Sequence, residues 1–177
     1  PRATPVARRD QPSPFSRRGP GLRGATKPEV VAYGGNYSVD RTGGGERLTN
    51  QRDLGELSLN HEFAGGNLFL LDAGTSQAAP QVGHAAARIL ERLPDASANL
   101  LRALVVAHAE VPPASQDLLG DDTPDLVGHG KPRLLQSMFS SERRVTMWAE
   151  AEISEDTCQF YEIPIPADFL KTPQRRS

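Results

Sequence analysis

The chain has 177 residues, enough for one domain or for one domain with part of another. Hydrophobic residues make up 37% and charged residues 24%, near globular values, so disorder is not the default reading. Twenty Lys and Arg stand against 22 Asp and Glu, a net charge of -2 that gives no reason to expect nucleic acid or an anionic membrane as partner. Basic clusters at Arg8-Arg9, Arg17-Arg18, Arg143-Arg144 and Arg175-Arg176 lack interleaved aromatic residues and read as solvated loops or termini. Cys158 is the single cysteine, which excludes an internal disulfide and a cysteine-based zinc site and fits a reducing compartment. No apolar run approaches the ~18 residues of a membrane span. The first residues are polar, basic and Pro-rich, unlike a signal peptide. The chain opens on Pro1 rather than Met and reads as a fragment.

Residues 1–27 are rich in Pro, Arg and Gly and predict loop or extended chain, with Pro12, Pro14 and Pro20 blocking a helix. The apolar run Glu29 to Tyr33 predicts a short buried strand ending at Gly34-Gly35. Residues 34–66 carry many glycines and little periodicity, which predicts a long surface excursion with a short hairpin. Asn67 to Asp72 predicts a second strand, broken at Ala73-Gly74. From Ser76 to Leu93 the pattern changes. Ala79, Val82, Ala86, Ile89 and Leu93 recur at spacings of three and four, one face of a helix. Pro80 is expected in its first turn, where a missing N–H is tolerated. A second helix is expected from Ala98 to Ala109, closed by Pro112-Pro113. Residues 114–131 read as an acidic, Gly-rich loop, followed by a short helix around Arg133 to Phe139. The alternating segments Val145 to Ala149 and Gln159 to Pro166 predict strands of a β-rich appendage beyond a boundary near residue 140.

The segment Gly74-Thr75-Ser76-Gln77-Ala78-Ala79-Pro80 carries the chemistry. A strand ends, a Gly permits a turn, and a Ser stands at the start of a helix. The helix N-terminus presents unpaired N–H groups and the positive end of the macrodipole. An oxyanion forming beside the Ser76 hydroxyl is stabilised there, and the Ser76 N–H can itself be one donor. Spacing alone leaves a second reading open, in which Thr75 or Ser76 is only an N-cap.

The same segment resembles the Gly-Thr-Ser-x-Ala-[Ser/Ala]-Pro signature around the nucleophile of subtilisin-like serine peptidases, the subtilases. Ser13-Pro-Phe-Ser-Arg-Arg-Gly-Pro20 is similar to their Phe-Ser-x-x-Gly segment. Lys27-Pro28-Glu29-Val30-Val31-Ala32-Tyr33-Gly34 resembles their Lys-Pro-Asp-Val-x-Ala-Pro-Gly strand, with Tyr33 in place of the usual Pro. Gly128-His129-Gly130 resembles the Gly-x-Gly turn before the last helix of the catalytic domain. The matches span residues 12–139 in the family's order, with a longer loop at 35–66. The Ser13–Pro20 form is similar to a bacterial branch that includes large intracellular members. The resemblance implies an α/β fold: the C-terminal part of a three-layer, subtilisin-like domain with a parallel sheet over residues 1–140, then the start of a β-rich appendage over 141–177.

It also implies peptide-bond hydrolysis by Ser76, with Gly74 and Thr75 shaping the nucleophile turn and Pro80 fixing the helix start. The family's order of triad residues is Asp, His, then Ser. No Asp-x-Gly with His-Gly-Thr occurs here, so the base, its Asp and the side-chain oxyanion donor Asn are expected upstream of Pro1. His84 lies eight residues along the same helix, about 12 Å of rise from Ser76, too far to serve. His61, His108 and His129 have no expected catalytic role, and Asp72 reads as a strand-end residue. Asp117, Asp121, Asp122 and Asp125 do not match a calcium-loop spacing and read as a solvated loop. No cofactor and no metal is expected, and the partner is a protein or peptide substrate. The competing expectation is an inactive subtilase-like scaffold or interaction module. A nucleotide-binding domain is discounted, because neither Gly-x-Gly-x-x-Gly nor a phosphate-loop Lys is present.

Overall fold

A computed structural model describes residues 4–42, 44–141, 144–163 and 165. It divides into a first unit ending at Thr146 and a second beginning at Met147. The basic residues Arg143, Arg175 and Arg176 and the end of the second expected appendage strand lie outside the described residues.

Three helices make the core of the first unit. Helix α1 runs Thr75–Arg92, α2 runs Ala98–Ala107, and α5 runs Leu134–Met138, and the three pack on one another. Ile89 of α1 and Leu100, Leu104 and Val105 of α2 are the buried cluster. Val82 and Ala86 of α1, Leu93 just after its end, and Leu134 and Met138 of α5 close around it. This is the apolar face that the three-and-four spacing predicts. Ser97 caps α2, its hydroxyl accepting from the Leu100 N–H at 3.1 Å, which satisfies a donor the helix cannot.

Two short helices stand where the sequence predicts a loop: α3 at Pro113–Leu119 and α4 at Thr123–Val127. Neither carries an apolar stripe. Each starts on a Pro in its first turn and is held by hydroxyls. Ser115 Oγ donates to the Asp10 carbonyl at 2.5 Å, and Thr123 Oγ1 donates to the Gly120 carbonyl at 2.6 Å.

The strands form two antiparallel hairpins. Strand β1 (Ser38–Asp40) pairs with β2 (Arg47–Thr49), and β3 (Glu56–Leu59) pairs with β4 (Phe69–Asp72). The excursion at 34–66 therefore contains the expected hairpin, and β4 is the expected second strand. In the second hairpin Leu57 faces Leu71 and Leu59 faces Phe69, so four large apolar side chains share one face. They are 67, 36, 70 and 55% exposed in that order.

The mixed helix and strand content is compatible with the expected α/β fold, and three finer expectations differ from what the described residues show. The parallel sheet and three-layer arrangement are not present among the described residues, whose named strands are all antiparallel. Glu29 to Tyr33 is extended but is not a strand, because it has no ladder neighbour. It is stapled to the Gly-x-Gly turn instead, with the His129 N–H donating to Glu29 O at 2.8 Å and the Val31 N–H to Gly130 O at 3.0 Å. Val145 to Ala149 and the described part of 159–166 form no strand. Their large side chains are exposed, Trp148 at 52% and Phe160 at 93%, and the Thr146 N–H donates to Ser140 Oγ at 3.0 Å rather than to a neighbouring strand.

Glu29 also fastens this segment to α2. Its carboxylate pairs with Lys27 at 3.3 Å and closely with Arg102. Burial pushes its pKa up, but the hydrogen bonds and charges of Lys27 and Arg102 outweigh that and hold it below the usual value.

Ile89 is 1% exposed at the centre of the cluster. Ile89→Ala is expected to lower unfolding free energy by about 2–5 kcal/mol, through lost transfer energy and a residual cavity. Urea unfolding followed by circular dichroism measures it.

Candidate active site

Strand β4 ends at Asp72, the chain turns through Ala73 and Gly74, and α1 begins at Thr75. The N-cap of α1 is Gly74, which has no side chain with which to cap. Ser76 is the second helical residue and exposed. Neither Thr75 nor Ser76 occupies the cap, so the N-cap reading of these hydroxyls does not hold. The Gln77 N–H bonds back to the Gly74 carbonyl at 3.0 Å. A helix start leaves its first N–H groups without intrahelical partners, and here no cap side chain takes them.

Pro80 requires a correction. The helix begins at Thr75, so Pro80 falls in its second turn rather than its first. Lacking an N–H, Pro80 cannot donate to the Ser76 carbonyl four residues back. It withholds a bond from Ser76 and does not mark the helix start.

The turn is positioned by close backbone approach. The Gly74 N–H donates to the Gly34 carbonyl at 2.7 Å. A Cβ on Gly34 would lie 2.7 Å from Gly74 O, and one on Gly35, at φ 79°, would lie 2.9 Å from the Ala73 Cβ. Gly74 itself is extended at φ 166°, and a Cβ there would meet nothing nearer than Ser76 N at 3.9 Å. The glycine that the approach requires is thus Gly34, opposite the turn, rather than Gly74 within it.

The segments that carry the family resemblance meet here. Ser13 Oγ donates to Gly35 O at 2.6 Å, and the Gly19 N–H donates to Asp125 O at 2.7 Å. Gly34 holds Gly74, and Glu29 and Val31 hold the turn at Gly128–Gly130. A cavity of about 830 Å³ opens beside α1, with Phe15, Tyr33, Thr75, Ala78 and Val82 among its walls.

Asp72 does more than end a strand. Its Oδ1 accepts from Asn50 Nδ2 at 2.9 Å and from the Ala73 N–H at 2.8 Å, tying the end of the first hairpin to the turn that precedes α1. These bonds, the Asn50 one first, hold its pKa below the usual value, with a smaller contribution from the Gln77 side chain. A lowered carboxylate pKa means that these contacts are intact at neutral pH and are lost as pH falls through the folded value.

Among the described residues no side chain hydrogen-bonds Ser76, and no His supplies a base to it. His61 and His84 are exposed, His129 is exposed in the Gly-x-Gly turn, and His108 is the C-cap of α2. Burial, then the Arg144 charge, pushes the His108 pKa below the usual value. The acidic loop is engaged at the surface, where Arg18 Nη2 lies 2.6 Å from Asp122 Oδ1 and 3.3 Å from Asp125 Oδ2. Among the described residues no group of three His, Cys, Asp or Glu stands close enough to hold a metal ion, and no helix is long and apolar enough to cross a membrane.

Sequence reasoning singled out Ser76 and its turn but missed Asn50, Gln81 and the role of Tyr33. Gln77 and Gln81 stand one helical turn apart, and Gln81 Nε2 donates to Gln77 O at 3.1 Å and to Tyr33 O at 2.6 Å. Only the departure of Tyr33 from the family's Pro signalled any of this in advance.

Residues 3–130 match the Subtilase family, and the chain belongs to that family of serine peptidases. It is 44% identical over 184 residues to the uncharacterized protein y4bN of Sinorhizobium fredii (strain NBRC 101917 / NGR234). The alignment covers 99% of this chain but only 42% of that relative. No solved structure matches the chain significantly.

Gly34→Ala is expected to lower stability by about 1–3 kcal/mol, because the new methyl meets backbone that cannot yield cheaply. Gly83, mid-α1, faces open space, and a methyl there would meet nothing within 4 Å. Gly83→Ala is expected to raise stability by up to about 1 kcal/mol. Thermal unfolding of the two variants side by side reads the contrast.

Proposed function

We propose that Ser76 is the nucleophile of a serine endopeptidase whose Asp and His are supplied by sequence outside these 177 residues. The observation that carries this reading is the placement of Ser76. It is exposed, in the first turn of α1, and caps nothing, because the cap position belongs to Gly74. A helix that only needed a stable start would gain about 1 kcal/mol from Ser, Thr, Asp or Asn at that cap. This one leaves donors free beside a hydroxyl.

In the proposed reaction Ser76 Oγ attacks the carbonyl carbon of a protein or peptide substrate while the His takes the hydroxyl proton. The developing oxyanion is held by the Ser76 N–H and by an Asn side chain, also from outside these residues. The His returns the proton to the leaving amine as the peptide bond breaks. Water, activated by the same His, then attacks the acyl ester and restores Ser76. Family membership supports this chemistry at the level of a serine peptidase. The absence of a His partner for Ser76 among the described residues favours an external base.

The reading is tested with a fluorophosphonate probe on the longer protein that contains this chain. The expected result is covalent labelling at Ser76, abolished in Ser76→Ala together with peptide hydrolysis, a loss on the order of 10⁴-fold or more. Well-folded protein that takes no label favours the inactive scaffold.

The 177-residue chain alone is expected to hydrolyse peptides no faster than its Ser76→Ala variant, since a Ser hydroxyl without a base is a poor nucleophile. A fluorogenic peptide assay on the two preparations measures this. Robust turnover that depends on Ser76 overturns the assignment of the base to sequence outside the chain.

A further inference from the structure

We infer that Tyr33 is a positioning residue for Ser76, taking over by side-chain contacts a place where the family's pattern has a Pro. This rests on the reading of Ser76 as a nucleophile. Two backbone carbonyls, at Tyr33 and Gly34, hold the start of α1 from opposite ends of the nucleophile turn. Gly34 O accepts from the Gly74 N–H at 2.7 Å, two residues before Ser76. Tyr33 O accepts from Gln81 Nε2 at 2.6 Å, five residues after it. The same Gln81 amide reaches Gln77 O at 3.1 Å, so the grip extends to the residue after the nucleophile.

The orientation of those two carbonyls depends on what holds the 33–34 backbone, and the Tyr33 side chain holds it on two sides. Its hydroxyl donates to Asp10 Oδ1 at 2.6 Å. Its ring lies under the Lys131 ammonium, 3.9 Å from nitrogen to ring centroid, well within the range of a cation–π contact. Both partners are fixed in turn. The Asp10 carbonyl accepts from Ser115 Oγ at 2.5 Å, and the Lys131 backbone exchanges two hydrogen bonds with Glu110, at 2.9 and 3.0 Å. A Pro could make neither side-chain contact. Tyr33 thus joins the N-terminal segment, the Gly-x-Gly turn and α1 at the residue before Gly34.

The test uses the longer protein that contains this chain, with Tyr33→Ala, Tyr33→Phe and Asp10→Ala. The expected result for Tyr33→Ala is a fluorophosphonate labelling rate and a kcat lower by about 10–100-fold, with KM within about twofold, as for a small displacement of a reacting group. Tyr33→Phe keeps the ring on Lys131 and is expected to recover all but about threefold, and Asp10→Ala to match it. Hydrogen exchange gives an independent reading, with the Gly74 and Gln77 amides expected to exchange about tenfold faster in Tyr33→Ala. Wild-type labelling in Tyr33→Ala, or a loss borne by KM alone, overturns the inference. If Tyr33→Ala does not fold, Tyr33→Phe and Asp10→Ala decide, and wild-type rates in both overturn it. Wild-type protein that takes no label overturns the peptidase reading instead. The exchange rates then decide the positioning claim by themselves, with unchanged protection counting against it.

Discussion

The hydrogen bond from the Gly74 N–H to the Gly34 carbonyl joins residues forty positions apart, and the arrangement of the site follows from it. At 2.7 Å between backbone atoms, with a Gly34 Cβ excluded at the same distance from Gly74 O, the two segments meet with no side chain between them. Everything from Asn36 to Ala73 must then leave and return to one point. The two antiparallel hairpins are how it does so. Their ends are laced together by Asp72 and Asn50, and by Asn36 N–H donating to Leu54 O at 2.9 Å. Because closure entropy grows only slowly with loop length, an excursion of this size costs little more than a short one. A long loop is therefore compatible with a tightly held turn at Gly74, provided that its ends are fixed.

The helical core fixes one of those ends. Ile89, Leu100, Leu104 and Val105 anchor α1 against α2, and the start of α1 is thereby a rigid platform for Ser76. The other end is fixed by the extended segment from Glu29 to Gly34, which is bound to the Gly-x-Gly turn by backbone and to α2 through the Glu29–Arg102 pair. Gly128, with φ 56° and ψ -128°, adopts a conformation open in practice only to glycine, and a Cβ there would collide with the Pro28 carbonyl oxygen. The glycines at 34 and 128 thus serve one end: each lets a second stretch of backbone touch the extended segment directly.

These features were unequally legible in the sequence. The face of α1 was plain, because an 18-residue helix against a core writes its period into Val82, Ala86, Ile89 and Leu93. The turn from Gly74 to Ser76 was legible as a motif but not as geometry. Which glycine is obligatory, and that Pro80 lies in the second turn, depend on where the helix actually starts. Helices α3 and α4 left no stripe to read, since hydroxyl contacts such as Ser115 with Asp10 hold them in an acidic stretch. Glu29 to Tyr33 had the composition of a strand, but a strand is a pairing, and composition does not say which neighbour is present. The same reasoning applies to the expected parallel sheet and to the segments after residue 144. Parallel pairing is non-local, so an apolar run does not say which strand lies beside it.

The caps of α1 and α2 differ although the two helices share one core. Gly74 forgoes the side-chain acceptor that a Ser, Thr, Asp or Asn would offer, while Ser97 supplies one at the start of α2, the neighbouring helix in the same core. The contrast separates two uses of a helix N-terminus within one chain. At α2 a free donor is satisfied by a hydroxyl from the chain itself. At α1 the hydroxyl stands two residues inward of the cap, Pro80 withholds a bond from the Ser76 carbonyl, and no cap side chain takes the first N–H groups. A start of that kind needs support from elsewhere, and the Gly34, Tyr33 and Asp72 contacts are that support. The residues that hold the turn thus lie mostly outside the motif that names it.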